Sequence, residues 1–182
     1  MQFNLIIMSE DAPFEVAIVG GGIAGLTLAI GLLRRNIPFK IYERAQGFRE
    51  IGAGIGFTAN AERAMLALDP RIHAGFRNLA FRNNEDNFYY VDGYHWDPSN
   101  PDHEETIFKM YLGERGFEGC RRPDFLEELV RHIPPQFVEF GKDFVSVKDD
   151  AEDSKCILSF RDGSTATADL GEFSTEKLYT AV

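Results

Sequence analysis

The stretch VAIVGGGIAGLTLAIGLLRR, Val16 to Arg35, constrains the fold of this chain more than any other. No charge occurs from Val16 to Leu33. An uncharged run of about 18 residues is long enough to cross a bilayer, and Gly21-x-x-x-Gly25 has the small-residue spacing of packed membrane helices. The order of residues argues for something else. FEVAIV, Phe14 to Val19, is apolar and rich in β-branched residues and stops at three glycines, as a strand entering a tight turn does. Gly20, Gly22 and Gly25 satisfy G-x-G-x-x-G: the first permits the turn, the second lets backbone approach a pyrophosphate, and the third lets a helix sit close to the sheet. The following IAGLTLAIGLLRR places Ile23, Leu26, Ile30 and Leu33 on one helical face and ends in two arginines, where the helix dipole favours cations.

After Asn36-Ile37-Pro38, FKIYER alternates Phe39 and Ile41 with Lys40 and Tyr42, as a second strand would. It ends at Glu43, about 20 residues beyond the glycines, where an acidic side chain accepts hydrogen bonds from an adenosine ribose. Strand, turn, helix and strand make a βαβ unit, and a membrane span would need neither the second strand nor the carboxylate. A free ribose 2′-hydroxyl fits FAD or NAD, whereas Glu43 would repel a 2′-phosphate. The alternative for Glu43 is a solvated carboxylate at a strand end.

Composition narrows the partners. The chain has 182 residues, 44% hydrophobic and 13% aromatic, which suits one globular domain or part of one. A net charge of −10 removes the attraction to phosphate backbones and anionic lipid, so neither nucleic acid nor a membrane surface is expected as partner. Cys120 and Cys156 lack CxxC spacing, so neither a disulfide framework nor a zinc ribbon is indicated, and a cytoplasmic protein with reduced thiols is expected. The N-terminus has no positive region and meets Glu10 and Asp11 early, unlike a secretory signal.

Downstream, EIGAGIGFTANAERAMLALD sets Gly52, Gly54 and Gly56 before a short helix over about Thr58–Leu68; taken alone it is a glycine-rich loop joining strand to helix. CRRPDFLEELVRHIP carries Arg121 and Arg122, then Pro123 at the first helical position, then an amphipathic helix with Phe125, Leu126, Leu129 and Val130. Alone, the arginines are a solvated pair. FYYVDGYHW and TIFKMYL read as strands, with sheet core the expected role for most of Phe88 to Tyr90, Tyr94 and Trp96. VEFGKDFVSVKDD and KCILSFRDGSTATADL read as a hairpin, with a further turn at Asp162-Gly163. His73, His95, His103 and His132 lack metal-ligand spacing, so no metal site is expected, and no Ser-His-Asp or paired-carboxylate arrangement offers a catalytic residue.

Taken together, GGGIAGLTLAIGLLRRNIPFKIYERA, EIGAGIGFTANAERAM and CRRPDFLEEL resemble the N-terminal part of the group A flavoprotein monooxygenases, of the salicylate hydroxylase and para-hydroxybenzoate hydroxylase type, and more narrowly their fungal relatives. The resemblance implies an α/β fold: a Rossmann-like, three-layer FAD-binding domain, partial, with an antiparallel β portion on the substrate side. It implies that Gly20, Gly22 and Gly25 face the FAD pyrophosphate and that Glu43 binds the adenosine ribose. It further implies that Gly56, in a loop after the second strand, passes close to the flavin, and that Arg122 contacts FAD from the start of its helix. In such enzymes NAD(P)H reduces the flavin and O2 is then used to hydroxylate a small aromatic or polyketide-derived ring.

The chain departs from that pattern after Leu170. Relatives continue into an apolar strand, a GCDG-like segment and a GDAAH-like segment, whereas GEFSTEKLYTAV is polar and shows no periodicity. Gly171-Glu172-Phe173 can be encoded by a sequence containing GTGAGT, the usual start of a eukaryotic intron. The expected division is an N-terminal extension over 1–13, an incomplete FAD-binding domain over 14–170 and a divergent tail over 171–182. A later parallel strand and the covering helices are expected to be missing, the chain is expected to be inactive alone, and any catalytic residue would lie beyond it. A non-catalytic FAD- or NAD-binding module is the other reading.

Overall fold

The computed structural model describes residues 14–48, 53–82, 85–94, 99, 106–114, 116–150 and 155–173. In chain order the elements are β1 (Val16–Val19), α1 (Ile23–Arg34), β2 (Phe39–Glu43), β3 (Gly54–Phe57), α2 (Ala59–Leu68), α3 (Pro70–Leu79), β4 (Phe81–Arg82), β5 (Asn87–Val91) and β6 (Thr106–Tyr111). There follow β7 (Glu118–Arg121), α4 (Arg122–Val130), a 3-10 turn (Pro135–Phe137), β8 (Val138–Phe140), β9 (Phe144–Asp150), β10 (Lys155–Phe160), β11 (Thr165–Ala168) and β12 (Leu170–Phe173). They form two compact units, one from the residues up to Ile51 and from Pro123 onward, the other from Gly52–Arg122.

The first unit is built on a parallel sheet in the order β12-β1-β2-β8. All four residues of β1 are buried, as a parallel strand covered on both faces requires. Residues of β1 and β2 divide between the faces. Ile18, Phe39 and Ile41 are almost wholly buried, and α1 lies against β1 and β2, with Ile18 close beneath Gly25. Ala17, Val19 and Tyr42 pack on the opposite face with Phe144, Cys156, Leu158, Phe160 and Ala168 of the antiparallel sheet β11-β10-β9. Helix, parallel sheet and antiparallel sheet make three layers, the number that the resemblance implies. Each fully buried Ile or Leu here contributes about 1.5–3 kcal/mol. Tyr42 therefore faces a core rather than solvent, and burial, with Glu139 and Glu15 adding to it, pushes its hydroxyl up to about 12.

The ends of α1 follow from its sequence. Gly22 is its extended N-cap residue, and at the other end Asn36 takes a left-handed φ of 55° while the Ile37 N–H reaches the Leu32 carbonyl at 3.1 Å, which stops the helix. The segment VEFGKDFVSV does not run as one hairpin strand. Val138–Phe140 pairs in parallel with β2, and Gly141, at φ 76°, turns the chain into the antiparallel sheet. Uniform β-forming composition conceals that break, because only the glycine marks it.

The sequence reading places no strand after Leu170; the structure does. β12 pairs in parallel with β1, from Val16↔Leu170 to Val19↔Phe173. Gly171 and Phe173 are the half-buried residues of LGEF, and the Phe173 ring packs on Phe144 at 4.9 Å between centroids. Two inward positions in four residues are too few to show a period in the sequence. Asp169, just before the strand, accepts the Glu15 N–H at 2.7 Å and joins the two segments ahead of their pairing.

The second unit holds α2, α3, the antiparallel sheet β3-β7-β4 and the ribbon β5-β6. Helix α3 follows α2 after the single residue Asp69, whose carboxylate accepts the Arg71 N–H at 2.9 Å and pairs with its guanidinium at 2.7 Å, with Pro70 opening the helix. The ribbon carries Phe88, Tyr89 and Tyr90, each 40–48% exposed, so the expectation that they form sheet core does not hold for this unit. Trp96, His95 and His103 lie outside the described residues. Among the described residues no helix is long and apolar enough to cross a membrane.

Candidate nucleotide site

The carboxyl ends of β1, β2 and β8 lie side by side, which is where open α/β sheets bind ligands. Gly20 leaves β1 at φ 107°, a conformation only glycine adopts cheaply, and its N–H still reaches the Tyr42 carbonyl at 2.9 Å. The next N–H, of Gly21, donates to Glu43 Oε2 at 2.7 Å, and that of Ala45 donates to Glu43 Oε1 at 2.8 Å. Glu43 thus ties the glycine turn to the end of β2. An ionised carboxylate has about four acceptor positions, so each oxygen retains one for a ribose hydroxyl.

The glycines of the motif have distinct reasons. A Cβ on Gly25 would run into the Gly20 carbonyl oxygen and lie 3.2 Å from Ile18 Cγ2, so Gly25 is required by the close approach of α1 to the turn. A Cβ on Gly22 would meet nothing within 4 Å. The protein itself does not require glycine there, and the open space at the N-terminus of α1 fits a ligand that must approach the backbone. The first turn of α1 has no acidic residue, so the positive end of its dipole is available to an anion. These features fit the pyrophosphate and ribose of a dinucleotide. Gly21 is the glycine that the motif does not demand; a Cβ there would stand 2.5 Å from Phe48 Cε1 and 3.2 Å from Glu43 Oε2.

The other two site candidates fall in the second unit. Gly56 lies within β3, opposite Gly119 of β7, rather than in a loop, and a Cβ on it would penetrate the Phe117 ring. Arg122 opens α4 with its side chain exposed, and its N–H donates to the Ala53 carbonyl at 2.9 Å. The two lie near opposite ends of the β3–β7 pair. Gly20, Gly22, Gly25 and Glu43 are brought together in the first unit.

Sequence reasoning missed a polar network around the buried Glu118 in the second unit. Glu118, 1% exposed, pairs with Arg77, which also approaches Glu62 at 3.4 Å, and His73 Nε2 lies 2.9 Å from the same Glu62 oxygen. It locks α2, α3 and β7 together, and a single carboxylate in a strand carries no sequence signal for it. His73 is thereby a structural partner. Among the described residues no group of three His, Cys, Asp or Glu side chains could hold a metal.

No protein-family model matches the chain. It is 55% identical over 164 residues to the FAD-dependent monooxygenase pigN of Monascus ruber, covering 90% of this chain and 37% of that protein. It is 40% identical over 174 residues to the salicylate hydroxylase asL1 of Sarocladium schorii, covering 92% of this chain and 36% of that protein. Among solved structures, a salicylate hydroxylase substrate complex superposes with a TM-score of 0.67 at 26% identity, covering 89% of this chain and 36% of that one. The chain spans a little over a third of the length of these relatives. Over that part of their length, the chain is similar in sequence to FAD-dependent monooxygenases and in fold to a salicylate hydroxylase.

Proposed function

We propose that this chain is the FAD-holding part of an FAD-dependent monooxygenase that uses NAD(P)H and O2 to hydroxylate a small aromatic or polyketide-derived ring. Gly20, Gly22 and Gly25 with the start of α1 hold the pyrophosphate and Glu43 the adenosine ribose, and the family resemblance assigns Gly56 and Arg122 to FAD as well. When bound, the flavin supplies the redox chemistry. The residues named here bind and orient it, and none of them transfers a proton. A cytoplasmic location follows the same reading. The similarity to salicylate hydroxylases supports an aromatic substrate.

The observation that carries the reading is the contrast within the glycine motif: Gly25 is imposed by the fold, whereas Gly22 is glycine in front of open space. FAD titrated into the chain, followed by flavin fluorescence, is expected to bind saturably, and NAD to compete poorly. Binding is expected to vanish in Gly22→Val. A parent chain that binds NAD and not FAD would favour a nucleotide module of another kind.

A further inference from the structure

Beside Glu43 lies a pair of rings that the glycine motif does not explain. Phe140 is the last residue of β8 and the register partner of Glu43, the last residue of β2. Phe48 stands edge-on to Phe140, with centroids 5.0 Å apart, and lies against Gly21 next to the Glu43 carboxylate. Backbone bonds hold the group together: the Lys142 N–H donates to the Glu43 carbonyl at 2.9 Å and the Gly141 N–H to the Ala45 carbonyl at 3.0 Å. Phe140 is nevertheless 38% exposed and Phe48 only half-buried. Two rings held in a fixed arrangement at the ligand end of a parallel sheet, and left partly open, are unusual unless something covers them.

The chemistry of an adenosine says what would. Its base is attached to C1′, next to the C2′ hydroxyl that a ribose-binding carboxylate holds, so the base must lie beside the carboxylate's own neighbours. Phe48, beside the carboxylate over Gly21, and Phe140, the register partner of Glu43, are such neighbours. We propose that this ring pair is the purine wall of the site, so that the exposed ring surface packs against the adenine and makes the chain select an adenine dinucleotide over one with a smaller base. Phe48 has a second duty, since its edge fills the space over Gly21 and holds the turn that donates to Glu43. This inference rests on the FAD reading above.

The test compares FAD with the flavin dinucleotide carrying cytosine in place of adenine, titrated into the parent chain, Phe140→Ala and Phe48→Leu. Phe140→Ala removes a ring without touching Gly21, and Phe48→Leu keeps side-chain volume against Gly21 while removing the aromatic face. The parent is expected to prefer FAD, and either variant to lose about tenfold in FAD affinity with a smaller loss for the cytosine dinucleotide. If both variants keep the parent's preference, or lose both ligands equally, the rings serve only the turn and the inference is overturned while the FAD reading stands. A parent that takes up neither dinucleotide overturns both.

Discussion

Gly22 and Gly25 separate what a ligand asks of the turn from what the fold asks. The Cβ of a residue at Gly22 would meet no protein atom within 4 Å, so Gly22→Val is expected to fold with the parent's stability and to lose FAD. Alanine at Gly25 meets the backbone oxygen of Gly20, which cannot yield as a side chain would, so Gly25→Ala is expected to destabilise the chain by about 3 kcal/mol in denaturant unfolding. Glu43→Ala removes a charged acceptor and is expected to weaken FAD by about 1–3 kcal/mol in a fluorescence titration. Unchanged affinity in that variant would remove the ribose assignment. Tyr42 has a pH signature. Its hydroxyl ordinarily titrates near 10 and is raised to about 12 in the folded chain, so its stabilising effect is complete below pH 10 and is lost as pH rises toward 12. Tyr42→Phe is expected to flatten the fall in stability over that window.

At the scale of elements, legibility followed the length of the signal. The βαβ unit was readable because glycine spacing, helical period and a terminal carboxylate agree over nearly thirty residues, Val16 to Glu43. The β10–β11 turn was readable from Asp162-Gly163, where Gly163 has a φ of 84°. Helix α3 was missed although Asp69-Pro70 is a good helix start, an N-cap carboxylate followed by a proline that needs no N–H donor. Strands β8 and β12, of three and four residues, depend on pairing partners distant in sequence, and no local pattern reveals those. Glycine usually marks loops, so the sequence places Gly56 in one; its reason is the Phe117 ring packed over β3. Gly56→Ala is therefore expected to cost about 1–3 kcal/mol in denaturant unfolding, and Phe117→Ala to lessen that cost. A cost unchanged by Phe117→Ala would show that the glycine is there for another reason.

For the whole molecule, four of the six residues named from sequence, Gly20, Gly22, Gly25 and Glu43, lie together at the carboxyl end of one parallel sheet. That part of the candidate site is legible because a glycine turn is a backbone device with fixed spacing. The proposed ring wall of Phe48 and Phe140 is not, since an aromatic near a strand end reads as core until its exposure is known. The central claim is that the glycine turn holds FAD. Calorimetric titration of FAD into the parent chain and into Gly22→Val, with circular dichroism to show that both are folded alike, tests it most directly. Saturation at about one FAD per chain in the parent and no binding in Gly22→Val is the predicted result; equal uptake by the two, or none by a folded parent, would contradict it.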